Sequence, residues 1–438
     1  MSAFLVRMFN ILKWLILTIL HHVIHIYTMI VCKYKKENTF DIIIIKDDCI
    51  GDIIVSLPIL LAMRRQLPPN CKWAIITSHA MASSVSATEI FDAVIPYSAN
   101  YNQITRRDIL FFSQYKAKVA IDLKLFSSLN ISFLCRCIQS QNYYSIYSCA
   151  KFIDDDRERL NNEKKQSFAS YIQYLSNLIS RSVKTIGIEL PYDVFVHDKS
   201  IIQQLITALG GFLNADLHQL ENSVREYYQE NRLAQLYVQS PLIEGITFDK
   251  VTQETYLSGH YILLVPGASS LQRQWPPERF IHILERLIKH DPTIKIVITG
   301  GASEISICQK ISLALGDNAI NLCGKISILQ FIKLALNCQW VLGNETGTTN
   351  VSATLGKDTF CLVGGGHFNF FCPCPYRPHL IPIYYLMPCY SCSWWSAEYR
   401  NPGCRFGNGS IFLCINNISE SEVIKVLSKH QIHFSKFE

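Results

Sequence analysis

The stretch Asp41-Ile-Ile-Ile-Ile-Lys46-Asp-Asp-Cys-Ile-Gly51-Asp52 opens the organised part of the chain. Four consecutive isoleucines between charged residues make a strand buried on both faces, because a half-exposed strand alternates apolar and polar residues. The apolar run breaks at Lys46-Asp47-Asp48 and resumes as a helix over residues 51–66. Strand, short turn and helix form the opening unit of a parallel α/β sheet. Ligands of such sheets bind at the C-terminal ends of the strands, which is where this turn lies.

The same alternation continues outward. Short β-branched runs at 73–77, 93–96 and 118–122 read as further strands, residues 153–167 as a charged exposed loop, and 168–179 as helix. Residues 198–258 are helix-rich, with many Glu, Gln and Asn and a Gly210-Gly211 pair, and read as a linker or insertion. A second alternating block follows, with strands at 261–265, 295–299, 340–342 and 359–363. Its helices fall at 277–289, 304–315, 328–336, 350–355 and 419–429, the last opening with a Ser419/Glu422 capping box. The fold class is therefore α/β, with two Rossmann-like domains facing a cleft. The expected boundaries are 40–197 for the first domain, 198–258 for the helical linker and 259–438 for the second domain, with a Cys-rich segment at 389–414.

Composition narrows the function classes. A chain of 438 residues with 49% hydrophobic and 17% charged residues is a folded protein of two or three domains. Its net charge of +6 is not spread evenly. Residues 1–36 hold Arg7, Lys13, Lys33, Lys35 and Lys36 and no acid, which leaves 36 basic against 35 acidic residues. A generally basic nucleic-acid binder is excluded. Trp14 to Cys32 carries no formal charge over 19 residues. At about 100° per residue its polar groups, including His21 and His25, gather on one side opposite a wide apolar arc. Residues 1–36 thus read as a hydrophobic, basic membrane-associating helix, either lying in the interface or crossing once. If the segment crosses, its lysine cluster puts the remainder of the chain on the cytoplasmic side.

Three constellations could carry chemistry. Lys46 to Asp52 offers three carboxylates beside a lysine, and Gly51 permits close approach of backbone to a ligand. A single carboxylate in a first helical turn serves the helix dipole. Three within six residues exceed that need, and Asp52 reads as a general base with Lys46 and Gly51 in support. Val265-Pro-Gly-Ala-Ser269-Ser270 followed by Arg273-Gln-Trp-Pro-Pro-Glu-Arg279 supplies loop amides, hydroxyls and a fixed cation, the parts of an anion site. Gly343-Asn-Glu345-Thr346-Gly347 leads into a helix whose N-terminal amides suit a diphosphate, with Glu345 able to accept from a sugar hydroxyl.

In this order and spacing, the stretches 42–66, 261–301 and 321–366 resemble glycosyltransferase family 9, which contains the ADP-heptose:lipopolysaccharide heptosyltransferases. The resemblance rests on Ile50-Gly-Asp52, Pro266-Gly-Ala-Ser269 with Arg273-Gln-Trp-Pro276, Thr299-Gly-Gly301, and Asn344-Glu-Thr-Gly347 ahead of Ala353-Thr-Leu-Gly356. It implies a GT-B fold and an inverting, metal-independent transfer that needs no cofactor. It implies Asp52 as catalytic base, and donor binding by Arg273, Glu345, Thr346 and Gly347, to which the loop reading adds Ser269. The partners it implies are a nucleotide-diphosphate sugar and a lipid-linked or polysaccharide acceptor such as lipopolysaccharide core. Family members more often carry Asp at the place of Glu345 and His at the place of Asn350. Those departures motivate a second reading, a membrane-anchored scaffold that binds nucleotide-sugar without transferring it.

Two features stand apart. Cys389-x2-Cys392-x11-Cys404-x9-Cys414 resembles a structural zinc site, the alternative being a reduced or partly disulfide-linked flap. His367, in Gly364-Gly-Gly-His-Phe368 after a strand, is a candidate donor-side residue.

Overall fold

The computed structural model describes residues 38–98, 105–124, 134, 137–145, 200–387 and 412–434. The expected N-terminal membrane helix, the 153–167 loop and the 168–179 helix lie outside the described residues. So do Cys389, Cys392 and Cys404. Among the described residues, no helix is long and apolar enough to cross a membrane.

Two parallel sheets organise the chain. The first holds β1 (Thr39–Ile45), β2 (Trp73–Thr77), β3 (Ala93–Pro96), β4 (Lys116–Asp122) and β5 (Gln139–Ser145), in the order β3-β2-β1-β4-β5. The second holds β6 (Tyr261–Val265), β7 (Lys295–Ile298), β8 (Ala319–Asn321), β9 (Val341–Asn344), β10 (Thr359–Leu362) and β11 (Leu380–Ile383), in the order β11-β10-β9-β6-β7-β8. Every pairing is parallel. In both sheets the first strand is central, and the order reverses beside it, between β1 and β4 and between β6 and β9. Those reversals open crevices at the C-terminal strand ends. Two doubly wound sheets are what the sequence pattern predicts, and β1 and β6 are as buried as their unbroken apolar runs require.

Helix α1 (Ile50–Gln66) follows β1. It is apolar almost all round and correspondingly buried, from Gly51 through Met63 with few breaks. Helices α2 (His79–Ser86) and α3 (Arg106–Ser113) follow β2 and β3. The region after residue 200 supplies α4 (Ile201–Leu213), α5 (Leu217–Gln229), α6 (Arg232–Gln239), α7 (Pro241–Glu244) and α8 (Lys250–Ser258). Leu205, Leu209, Leu220 and Val224 share one hydrophobic core with Ile53, Leu57 and Leu60 of α1. The Tyr228 hydroxyl adds a hydrogen bond to the Val55 carbonyl at 2.7 Å. That core continues into Val341 and Val351, so α1 links the two sheets.

In the second domain α9 (Pro277–His290), α10 (Ile305–Leu315), α11 (Ile328–Asn337) and α12 (Gly347–Thr354) alternate with the strands, and α13 (Leu413–Asn416) and α14 (Glu420–Lys429) close the described chain. The capping box at Ser419 and Glu422 forms as the sequence predicts.

Candidate active site

The site forms where α1 and α12 meet. Gly51 in the first turn of α1 faces Gly347 at the start of α12 so closely that a Cβ on Gly51 would stand 2.9 Å from the Gly347 Cα. A Cβ on Gly347 would stand 3.1 Å from the Gly51 nitrogen. Only glycine allows this approach without displacing backbone. The two helix N-termini, each with unsatisfied N–H groups and a partial positive charge, therefore abut, one from each domain.

On the first-domain side, Lys46 ends β1 and is fully buried. Its ammonium donates to Asp48 Oδ2 at 2.5 Å and to the Leu123 carbonyl beyond β4 at 3.1 Å. This lysine spans the crevice between β1 and β4 and commits its ion pair to Asp48. Asp52 lies three residues into α1, where a carboxylate can reach back to the backbone at Cys49. Burial pushes its pKa up to about 7, helped by the negative charges of Asp48 and Glu345 and opposed by Lys46 and the Cys49 backbone hydrogen bond. Helix capping and an acid–base role are thus compatible at this position, since the capping bond is outweighed by desolvation.

On the second-domain side, the chain after β6 turns through Ser269 to Arg273. Trp275 anchors the turn. It is fully buried, its backbone N–H donates to Asn344 Oδ1 at 3.0 Å, and its indole donates to the Ile418 carbonyl at 2.9 Å. Pro276 and Pro277 then start α9, where a missing N–H is harmless. Held this way, Arg273 donates to Ser269 Oγ at 3.2 Å, to the Glu345 carbonyl at 3.0 Å and to Glu345 Oε2 at 2.6 Å. Glu345 is 7% exposed. Asn344, fully buried at the end of β9, donates to the Pro266 carbonyl at 2.6 Å and so ties the two loops together. Thr346 caps α12, its N–H donating to Thr349 Oγ1 at 2.9 Å.

The structure thus brings Lys46, Gly51, Asp52, Ser269, Arg273, Glu345, Thr346 and Gly347 to one interdomain cleft. His367 ends a short 3-10 turn, Gly365–His367, after β10. Of the four proposed zinc ligands only Cys414 is described. It is buried, and its sulfur accepts from the Gly365 N–H at 3.4 Å. No group of three or more His, Cys, Asp or Glu suited to a metal occurs among the described residues.

Two residues that the sequence reading does not single out, Glu304 and Arg377, also shape the cleft. Glu304 lies across Gly267 and Gly300, so close that a Cβ on Gly267 would fall 2.1 Å from its carboxyl carbon. Its Oε2 accepts from the Gly301 N–H at 2.6 Å. Arg377 and Asn350 pack behind Glu345, with Arg377 Nη1 donating to Asn350 Oδ1 at 2.6 Å. The glycines around residue 300 were the legible signal for Glu304; nothing in the Pro-Tyr-Arg-Pro context marks Arg377. In the first domain, a cavity of about 780 Å³ opens at the ends of β2 and β3, lined in part by His79, Tyr97, Ser98, Arg107, Phe111 and Gln114.

The family model for glycosyltransferase family 9 (heptosyltransferase) matches residues 197–384. Over that stretch the chain is similar to glycosyltransferase family 9. The match covers α4 to β11 and so includes the Arg273 and Glu345 turns. Over 131 residues the chain is 24% identical to the lipooligosaccharide heptosyltransferase 2 of Haemophilus influenzae. That alignment takes in 28% of this chain and only 37% of the relative. Among solved structures, the ADP-heptose lps heptosyltransferase II of E. coli superposes with a TM-score of 0.54 at 14% identity, covering 89% of this chain and 98% of the other. A glycosyltransferase family 9 protein of Veillonella parvula gives 0.54 at 17% identity, with 91% and 98% covered. The E. coli heptosyltransferase WaaC with ADP gives 0.52 at 13%, with 89% and 98% covered. At such identities the likeness is one of fold, and it extends over both sheets.

Proposed function

We propose that the protein is an inverting, metal-independent glycosyltransferase that moves a heptose or related sugar from a nucleotide diphosphate to a lipid-linked acceptor such as lipopolysaccharide core. The observation that carries this reading is the meeting of Asp52 with the Arg273–Glu345 pair across the Gly51–Gly347 contact. It joins a titratable carboxylate from one domain to an anion-binding turn of the other.

In this reading the diphosphate lies against the N-terminus of α12, with Arg273, Ser269 and the amides of Thr346 and Gly347 as donors. Glu345 accepts from hydroxyls of the donor sugar. Glu304, closing the turn Ala302–Glu304 that follows β7, the strand next to β6, is suited to the role of the acidic residue that Rossmann-like domains put on a ribose hydroxyl. His367 remains a donor-side candidate from its place in the sequence. The acceptor occupies the first domain, its flanking sugars reaching into the cavity beside Arg107 and Phe111. Two strand spacings separate β1 from β3, about 10 Å, a distance that roughly two sugar rings cover.

Transfer then proceeds in one displacement. Asp52 takes the proton of the acceptor hydroxyl as its oxygen attacks the anomeric carbon from the face opposite the diphosphate. The C–O bond to the diphosphate breaks, and Arg273 with the helix amides stabilises the negative charge that develops there. A pKa near 7 suits a base that must be ionised before reaction and hold a proton after it. Residues 1–36 hold the enzyme at the cytoplasmic face of the inner membrane, where a lipid-linked acceptor is presented.

The test is a donor screen with purified full-length protein, beginning with ADP-heptose and a deacylated core acceptor, alongside Asp52→Asn. Transfer by the wild type and its loss in the variant, with donor binding kept, is the expected result. Equal transfer by both removes Asp52 as the base. Donor binding with no transfer to any extracted glycolipid would favour the scaffold instead.

A further inference from the structure

Arg377 is a buried charge that the proposed reaction does not use. It is 1% exposed and lies within electrostatic reach of the buried Tyr228 and Cys372. A cation so placed is unfavourable unless strongly paired. Yet its two acceptors, Asn350 Oδ1 at 2.6 Å and the Phe371 carbonyl, are both neutral, and its Nε has no hydrogen-bond partner among the described residues.

The chemistry of the contact fixes a direction. Arginine only donates, so Asn350 must turn its oxygen toward Arg377 and its NH2 away. That NH2 donates to the Thr346 carbonyl at 2.9 Å and reaches Glu345 Oε1 at 3.4 Å. The other Glu345 oxygen takes Arg273. The carboxylate is thereby held at both oxygens, by an exposed-side arginine and by an amide whose polarity a buried arginine dictates.

We propose that Arg377 is a positioning residue: acting through the Asn350 amide, it sets the orientation of Glu345 and with it the seat of the donor sugar. This rests on the reading of Glu345 as a donor-sugar contact. It also accounts for the asparagine. Asparagine at 350 points a donor at Glu345 only when a donor-only group stands behind it. A neutral histidine could do the same, accepting from Arg377 at one nitrogen and donating from the other. An aspartate could not. It would give Arg377 a charged partner while facing Glu345 with a second acceptor-only carboxylate.

The test compares Asn350→Asp, Asn350→His, Arg377→Gln, Asn350→Ala and the Asn350→Ala/Arg377→Gln double variant in the full chain. Thermal melting is measured with calorimetric binding of ADP-heptose. Asn350→Asp should melt at or above the wild-type temperature and bind ADP-heptose at least about tenfold more weakly, with Asn350→His within about threefold of wild type. Arg377→Gln and Asn350→Ala should each weaken binding about tenfold, and the double variant no more than the worse single one, because both break the same chain of contacts. Wild-type affinity in Asn350→Asp, or losses that multiply in the double variant, would make Arg377 a structural clamp on the Phe371 carbonyl and overturn the proposal. If Arg377→Gln does not fold, Asn350→Asp against Asn350→His still decides. Failure of the underlying reading looks different: Glu345→Ala would then retain full affinity for ADP-heptose.

Discussion

Residues 46–52 and residues 344–350 occupy the same topological place in their two sheets, a strand end beside the reversal of strand order, and each places a carboxylate at the start of a helix. The two carboxylates nonetheless sit in opposite circumstances. Lys46 gives its hydrogen bond to Asp48, so Asp52 meets a cation only at a distance while burial and two like charges raise its pKa. Glu345 has Arg273 at 2.6 Å and is gripped from behind by Asn350. What separates a titrating group from a fixed anchor here is which carboxylate the nearest cation reaches, not the fold position. The reading of function follows from that contrast, and each experiment below attacks one side of it.

The largest effect is expected at the titrating side. Asp52→Asn should lower the transfer rate by about 10³-fold, within the range for loss of a general base, while leaving nucleotide affinity within about threefold. The anchored side should respond to Arg273→Ala with a loss of about 10²-fold in kcat/KM, since it removes one charge-stabilising donor and frees Glu345. Arg273→Lys should recover only part of this, because a lysine cannot serve Ser269 and Glu345 together.

The pH dependence tests the contrast without mutation. Asp52 must be ionised to accept a proton, so kcat/KM should rise about tenfold per unit below pH 7 and level off above it. Stability should move the other way. The folded pKa lies above the unfolded value, so between about pH 4 and pH 7 the folded chain keeps a proton that the unfolded chain has lost, and this group's contribution to stability falls as pH rises. Asp52→Asn should therefore be more stable than wild type at pH 8 and no more stable at pH 3.5, by thermal melting. A flat rate profile from pH 5 to 8 would dissolve the distinction between the two carboxylates.

The smallest effect belongs to the contact that joins them. Gly51→Ala must push Gly347 back by a few tenths of an ångström and should reduce kcat/KM by about tenfold with the melting temperature little changed. Unaltered kinetics would mean that the two turns do not work at a fixed separation.

Much of this was readable in the sequence, for physical reasons that also explain the gaps. β1, β2 and β6 are unbroken apolar runs because both their faces are covered, and such runs announce themselves. β5, Gln-Ser-Gln-Asn-Tyr-Tyr-Ser, is a polar edge strand without that signature and was not anticipated. Nor was β11, which carries a proline on an edge, or β8, only three residues long. Helix α12 begins at Gly347, three residues earlier than the pattern predicts, because Thr346 and Thr349 cap it where glycine and threonine alone would read as loop. At the site, Asp52, Arg273 and Glu345 stood out because charge beside glycine at a strand end is hard to explain otherwise. Arg377 carries no such local mark and Glu304 only the Gly300-Gly301 pair before it; Asn350 beside Arg377 and Gly267 beside Glu304 are brought near only by folding.

The claim that both turns build one site is tested most directly by a crystal structure of the protein with ADP and a deacylated acceptor. The account predicts the diphosphate within hydrogen-bond reach of Arg273 and the first amides of α12, and an acceptor hydroxyl about 3 Å from Asp52. A diphosphate bound away from Arg273 and Glu345, or an acceptor that leaves Asp52 facing solvent, would contradict it.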